Sequence, residues 1–227
     1  MYSAIILAGG TGSRMHQSVP KQFLALAGKP MILHTLERLE RIDEIDEIIV
    51  PCYPQYKELL RVNIDAYMLK KPYKIVDGGD TRQQSAYLGV LEARNEDILI
   101  HEAARPFVTT REFTALLEDK AENATYGLDI PFTVSVRTGD SITGLLERDR
   151  LVNIQLPQKF KRTPLLEAYE RAERDGLVFT EDTSLLYYYS RTPVKVLEGT
   201  PNNIKVTNSL DMAAGEIIYK EYIVGRD

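Results

Sequence analysis

The sequence predicts an α/β fold, a mostly parallel sheet flanked by helices, built as a single domain over residues 1–227 with an inserted β-arm at about 133–152. Three observations point there. Short apolar runs alternate with amphipathic stretches from the first residue on, and strand, helix, strand in succession implies parallel crossovers. Between Pro131 and Arg150 that rhythm gives way to period-2 alternation around a Gly-Asp turn signal. No internal repeat, low-complexity tract or linker divides the 227 residues, a length that one core can serve.

Taken in order, Ser3 to Leu7, Glu47 to Val50, Tyr73 to Val76 and Asp97 to Ile100 read as strands buried on both faces, because each is a short apolar run. Met31, Leu33, Leu36, Leu39 and Ile42 fall at roughly helical spacing, as do Tyr56, Leu59, Leu60 and Ile64, and then Ala86, Val90 and Leu91 after Asp80. Thr133 to Asp140 and Ser141 to Leu146 form a hairpin candidate, either an arm that docks elsewhere or a plain excursion into solvent. Thr163 to Ala172 and Thr183 to Tyr189 read as helices, Pro193 to Leu197 as a strand and Ser209 to Tyr222 as a terminal helix.

Composition narrows the function. With 28 Lys and Arg against 33 Asp and Glu the net charge is −5, which excludes a globally basic nucleic-acid coat. No stretch approaches a membrane span, and the start lacks the basic region of a signal peptide, so a cytoplasmic protein is expected. The single cysteine, Cys52, cannot form an internal disulfide. With only His16, His34 and His101 beside it, any metal must be bound mainly by oxygen.

An open parallel sheet binds ligands where its strands end, so the chemistry is sought just after each run. The first run leads into Leu7-Ala8-Gly9-Gly10-Thr-Gly12-Ser-Arg14-Met15. There Gly9, Gly10 and Gly12 let backbone amides approach a phosphate. The loop fits neither GxGxxG nor the Walker pattern, yet Arg14 and Lys21 follow it, a fork and a mobile point charge that suit a polyphosphate. The plain alternative is a strand-to-helix turn with two solvated cations. Asp77-Gly-Gly79-Asp80, with Arg82 and Ser85, closes the third run, and Asp80 could accept a base amino group, cap the next helix, or do both. The fourth run ends in His101-Glu102-Ala-Ala-Arg105-Pro106. This makes Glu102 the leading oxygen ligand for Mg²⁺ and His101 a packed strand-end residue. Lys205, in Asn203-Ile-Lys-Val-Thr207, is a further cation after a strand or else a salt-bridged surface lysine.

These residues resemble a known family, the cytidylyltransferases of 2-C-methyl-D-erythritol 4-phosphate and of D-ribitol 5-phosphate. The resemblance covers nearly the whole chain. It is carried in order by LAGGTGSRM, Pro20-Lys21-Gln22, DGGDTRQQS, HEAARPF, Arg148 with Leu156-Pro-Gln158, TEDTS at 180–184 and NIKVT at 203–207. It implies a Rossmann-like nucleotidyltransferase fold in which CTP lies over the glycine loop and a polyol phosphate attacks its α-phosphorus with Mg²⁺ present. Arg14 and Lys21 match transition-state cations, and Lys205 and Arg105 match further catalytic or binding positions. Leu7, Ala8, Gly9, Gly10, Gly12, Gly79, Asp80 and Ser85 match the nucleotide site. Ser135 and Arg148 fall where an arm supplies acceptor-phosphate contacts to a neighbouring subunit, so a homodimer is implied.

Two positions depart from the family pattern. Glu102 stands for the usual Asp, which alters where a metal would sit, and Leu156 stands for a Thr, so whatever contact that hydroxyl makes to the acceptor is expected to be lost or replaced. The LAGG start leans toward D-ribitol 5-phosphate. Two rival functions stay open: a sugar-1-phosphate nucleotidyltransferase using UTP or dTTP, and a nucleotide-binding regulator without catalysis. The DGGD motif with Ser85 and the NIKVT segment argue against the first, and the Arg14/Lys21 pair against the second.

Overall fold

A computed structural model describes residues 1–9 and 20–225. β1 (Tyr2–Leu7) opens the chain. After it come a short turn at Lys21–Phe23, the two-residue strands β2 (Ala25–Leu26) and β3 (Lys29–Pro30), and α1 (Met31–Glu40). Three units continue the alternation: β4 (Ile45–Cys52) with α2 (Lys57–Ala66), β5 (Tyr73–Asp77) with α3 (Arg82–Leu91), and β6 (Asp97–Glu102) with α4 (Thr110–Glu118). β7 (Ala124–Asp129) then precedes the hairpin of β8 (Ser135–Thr138) and β9 (Ser141–Leu145). The chain ends with β10 (Val152–Lys161), α5 (Arg162–Asp175), α6 (Asp182–Ser190), β11 (Lys195–Glu198) and α7 (Ser209–Ile218), the last followed by a π-helical turn at Tyr219–Ile223.

The main sheet has seven strands in the order β11-β7-β10-β6-β1-β4-β5, and only β10 runs against its neighbours. The mostly parallel α/β architecture expected from the sequence is therefore present. Alternate residues of β1 feed two cores. Ala4 and Ile6 pack with Leu33 and Leu36 of α1, Leu60 of α2 and Phe113 of α4. Ile5 and Leu7 pack on the other face with Val90 of α3, Leu165 of α5 and Leu185 of α6. The sheet grows outward from β1 through β4 to β5, and then the chain returns to place β6 on the other side of β1. That reversal opens a crevice at the ends of β1 and β6.

Three elements differ from expectation. β5 is an edge strand that is exposed on one side, so Tyr73 to Val76 is not buried on both faces. β7 and β10 were not foreseen, because polar Thr125, Gln155, Gln158 and Lys159 interrupt their apolar patterns. In the fold these four are buried and their polar groups largely satisfied; Lys159 Nζ, for one, donates to the carbonyl of Leu117 at 3.2 Å. α4 is marked by a capping box in which Thr109 and Glu112 exchange hydrogen bonds.

The arm is the tip of the antiparallel β7–β10 pair. Val152 lies opposite Asp129, and the intervening chain projects as the β8–β9 hairpin, turning at Gly139 with φ 58°. Among the described residues no helix is long and apolar enough to cross a membrane.

Gly89 is where α3 lies closest to the sheet: a Cβ there would stand 2.6 Å from Ile5 Cγ2 and 3.0 Å from Pro51 Cγ. Both neighbours are held in the core. Gly89→Ala should therefore destabilise by about 1–3 kcal/mol, read as a lower urea midpoint at unchanged slope.

Candidate active site

The ends of β1, β4 and β6 are stitched together before any functional side chain is placed. Leu7 pairs in register with Glu102. The Ala103 N–H donates to the Leu7 carbonyl at 3.1 Å, and the Ala8 N–H donates to the Pro51 carbonyl at 3.1 Å. The crevice above them, about 320 Å³, falls in the size range of small-molecule sites.

Nine of the expected residues line this cleft: Leu7, Ala8, Gly9, Lys21, Gly79, Asp80, Ser85, Glu102 and Lys205. Gly10, Gly12 and Arg14, which complete the expected glycine loop, lie outside the described residues. Gly9 is needed for close approach, since a Cβ on it would stand 3.2 Å from Ser85 Oγ. That hydroxyl also accepts from the Gly79 N–H at 3.1 Å, tying the two glycine segments to α3. Lys21, 9% exposed, donates from Nζ to the Val206 carbonyl at 2.8 Å, and its neighbour Gln22 donates from Nε2 to the Ala8 carbonyl at 2.6 Å. The Pro20-Lys21-Gln22 turn is thus clamped between β1 and the segment before α7.

Thr81, not Asp80, caps α3: its hydroxyl accepts from the Gln84 N–H at 3.0 Å. The Asp80 N–H donates to Gln84 Oε1 at 2.8 Å and its carboxylate is left at the cleft surface. Of the two roles open to Asp80, helix capping is removed.

Glu102 is the buried charge of the site. Its Oε1 accepts from Arg82 Nε at 3.0 Å, and its Oε2 pairs with Lys205 Nζ at 2.8 Å and stands 3.8 Å from Arg105 Nε. Burial alone would raise this carboxyl. Lys205, Arg82 and Arg105 outweigh it and hold the group at about 2, so it is anionic at neutral pH. Among the described residues no group of three His, Cys, Asp or Glu could cage a metal. A single ionised carboxylate is nevertheless the donor that Mg²⁺ takes when substrate phosphates complete its shell. Arg82 and Lys205 each hydrogen-bond one of its oxygens and Arg105 stands at 3.8 Å, which leaves a lone pair on each oxygen with which Glu102 would hold that ion.

Arg105 does not line the cleft. It lies beneath Glu102 and donates from Nη1 to the Asn203 carbonyl at 2.9 Å, supporting the loop that carries Lys205. His101 is fully buried, edge-on to Phe113, with Nε2 2.9 Å from the Arg105 carbonyl, and burial pushes its imidazole down to about 3. It is a neutral packing residue, as expected.

Ser135 and Arg148 stand apart on the arm and do not line the cleft of their own chain. The Leu156 side chain is fully buried in the core beside Ile5 and Leu7. In this chain the position serves packing. Tyr53, Arg82 and Thr207 also line the cleft and were missed as site residues. Arg82 carried a signal, a cation in the first turn of a helix, where the backbone dipole favours anions.

Residues 2–221 match the family model described as IspD, 2-C-methyl-D-erythritol 4-phosphate cytidylyltransferase. The chain is 35% identical over 223 residues to the 2-C-methyl-D-erythritol 4-phosphate cytidylyltransferase of Geobacillus thermodenitrificans, with 96% of each chain covered. It is 33% identical over 224 residues to the chloroplastic enzyme of that name from Oryza sativa, covering 96% of this chain and 74% of that one. The crystal structure of 4-diphosphocytidyl-2C-methyl-D-erythritol synthase from Anaerococcus prevotii superimposes with a TM-score of 0.85 at 26% identity, over 97% of this chain and 96% of that one.

The cap assignment separates two neighbouring residues. Thr81→Ala should cost about 0.5–2 kcal/mol of stability, whereas Asp80→Ala should stay within about 0.5 kcal/mol of wild type; thermal melts of the two variants side by side check this.

Proposed function

The chain belongs to the IspD family of 2-C-methyl-D-erythritol 4-phosphate cytidylyltransferases, and on that premise we propose that it transfers CMP from CTP to 2-C-methyl-D-erythritol 4-phosphate. An oxygen of the acceptor phosphate attacks the α-phosphorus of CTP. The bond from that phosphorus to the bridging oxygen breaks, and a CDP-polyol and pyrophosphate result. Support comes from the cleft, where Lys21, Lys205 and the ionised Glu102 meet Gly9 at the carboxyl end of β1. The activity for which the relatives are named favours methylerythritol phosphate over the ribitol phosphate to which the LAGG start points.

The chemistry joins two anions, and their repulsion must be neutralised before the reacting oxygen and phosphorus can meet. In this proposal Lys21, with Arg14 of the glycine loop, stabilises charge moving toward pyrophosphate, and Lys205, whose loop Arg105 supports, adds a further cation in the cleft. Such groups accelerate because they act on charge that develops in the transition state. Glu102 would hold a Mg²⁺ ion that, when bound, supplies further positive charge to the phosphate oxygens. Asp80 would accept a hydrogen bond from the cytosine amino group, which uracil lacks, and Ser85 would fix the Gly79 segment beside it.

The arm belongs to the same proposal. Phe132, Ile142 and Leu145 are 75%, 74% and 87% exposed, an apolar surface that a second copy of the chain would cover. Ser135 and Arg148 would then reach the acceptor phosphate in the partner's cleft.

Two measurements test these assignments. Pyrophosphate release should require CTP rather than UTP or dTTP, and should be faster with 2-C-methyl-D-erythritol 4-phosphate than with D-ribitol 5-phosphate. Lys21→Ala should lower kcat by about 10² or more in a chain that still melts cooperatively, with the melting temperature lowered by the loss of the Val206 hydrogen bond. A faster reaction with ribitol phosphate reverses the acceptor, and release with no acceptor of the panel overturns the function.

The second measurement mixes variants. Arg148→Ala should raise the KM for the acceptor while sparing that for CTP. Mixed with Lys21→Ala under conditions of subunit exchange, it should recover part of the activity, because one site of the heterodimer has both residues. No recovery, or a fully active wild-type monomer, would show that the acceptor is bound in cis.

A further inference from the structure

Arg82 is a half-buried cation at the cleft to which the proposed transfer gives no task. It is the first residue of α3, where the helix end is itself positive, so its charge needs strong compensation. Three carboxylates supply it. Nε donates to Glu102 Oε1 at 3.0 Å, Nη1 and Nη2 donate to the two oxygens of Asp182 at 3.1 and 2.9 Å, and Glu181 Oε2 stands 3.7 Å away. Asp182 opens α6, is 1% exposed and accepts the Tyr169 hydroxyl at 2.6 Å. Tyr169 is itself 1% exposed, packed in the core from α5. A chain of short contacts therefore runs from the core through Tyr169, Asp182 and Arg82 to Glu102, and on to Lys205 at 2.8 Å.

We propose that Arg82 is a positioning residue: the planar fork held by Asp182 fixes the Glu102 carboxylate, and through it Lys205, in the orientation that phosphoryl transfer requires. The proposal rests on the function given above. Arg82 is poorly placed to grip a phosphate, since each of its three nitrogens already donates to a carboxylate. Drawing it toward a ligand would strand Asp182 as a buried charge without its partner. The two-toothed grip also fixes the guanidinium plane, which a lysine could not reproduce.

The test is a double-variant cycle read by steady-state pyrophosphate release from CTP and 2-C-methyl-D-erythritol 4-phosphate with magnesium chloride. Arg82→Gln should lower kcat by about tenfold or more and change the KM for CTP by less than about threefold. Arg82→Lys should not rescue it. Combined with Glu102→Gln, it should add little to the loss that Glu102→Gln causes alone, because both act through one carboxylate. Tyr169→Phe, which leaves Arg82 in place but releases Asp182, should lower kcat by about two- to fivefold at unchanged KM, the scale of a single hydrogen bond.

Three results overturn positioning: losses that multiply in the double variant, a loss confined to the KM for CTP, or wild-type kcat in Tyr169→Phe. If Arg82→Gln fails to fold by thermal melt, Asp182→Asn takes its place in the cycle under the same criteria. A wild-type chain that turns over no acceptor overturns the proposed function, whereas an active wild type with multiplying losses overturns positioning alone.

Discussion

A single buried negative charge organises the cleft. Glu102 is 5% exposed, and an ionised carboxylate with no partner at that depth would cost several kcal/mol. Three segments converge to prevent this: Arg82 from the start of α3, Arg105 from the turn after β6 and Lys205 from the segment before α7. The register of β1 against β6 decides where that charge stands, because it sets Glu102 opposite Leu7, the last residue of β1. Cations that would repel one another in isolation are thereby gathered beside the crevice. Their proximity follows from the carboxylate, and the chemistry follows from their proximity.

Much of this was legible in the sequence, for identifiable reasons. Strands β1, β4 and β6 announce themselves because their side chains are apolar on both faces, and the hairpin because its alternation and Gly139-Asp140 turn are local signals. Helix α4 could have been read from Thr109 and Glu112 three residues apart, a pattern of purely local origin. β10 could not, since Gln155, Gln158 and Lys159 look solvent-facing until their partners are known. Gln158 Nε2, for instance, donates to Glu181 Oε2 at 3.1 Å, across 23 positions. The same holds at the site. Glycine spacing and adjacent cations mark the nucleotide edge, but Asp182 as the anchor of Arg82 depends on two helices meeting end to end, which no spacing encodes. Leu156 shows the converse: a residue judged by its place in a motif proved to be governed by the core beneath it.

The arm illustrates how the sheet extends itself outward. A two-stranded hairpin is marginal alone in water, and β8–β9 has little beneath it. It is held because β7 and β10, its continuations, are locked into the sheet between β6 and β11. The register shift between Gln155 and Gln158 falls just inside the buried body of β10, past the exposed Val152 and Asn153 at the root of the arm. Rigidity at the root is thus obtained from the same strand that flanks β6, and the outward apolar residues can be presented without cost to the core.

The hydrogen bond from Lys21 to the Val206 carbonyl joins positions 185 apart in the chain, which bears on the order in which the protein is made. Contacts so distant in sequence close late, because the entropy of the intervening loop must be lost first. On a ribosome that adds about 5–20 residues per second, β1, β4, β5 and β6 are all synthesised well before the segment bearing Lys205 and Val206. A nascent chain can therefore hold its crevice while lacking the wall that completes it. Competence for nucleotide chemistry arrives with the last few dozen residues, so a chain cut short before Asn203 would keep most of its sheet and none of its second lysine.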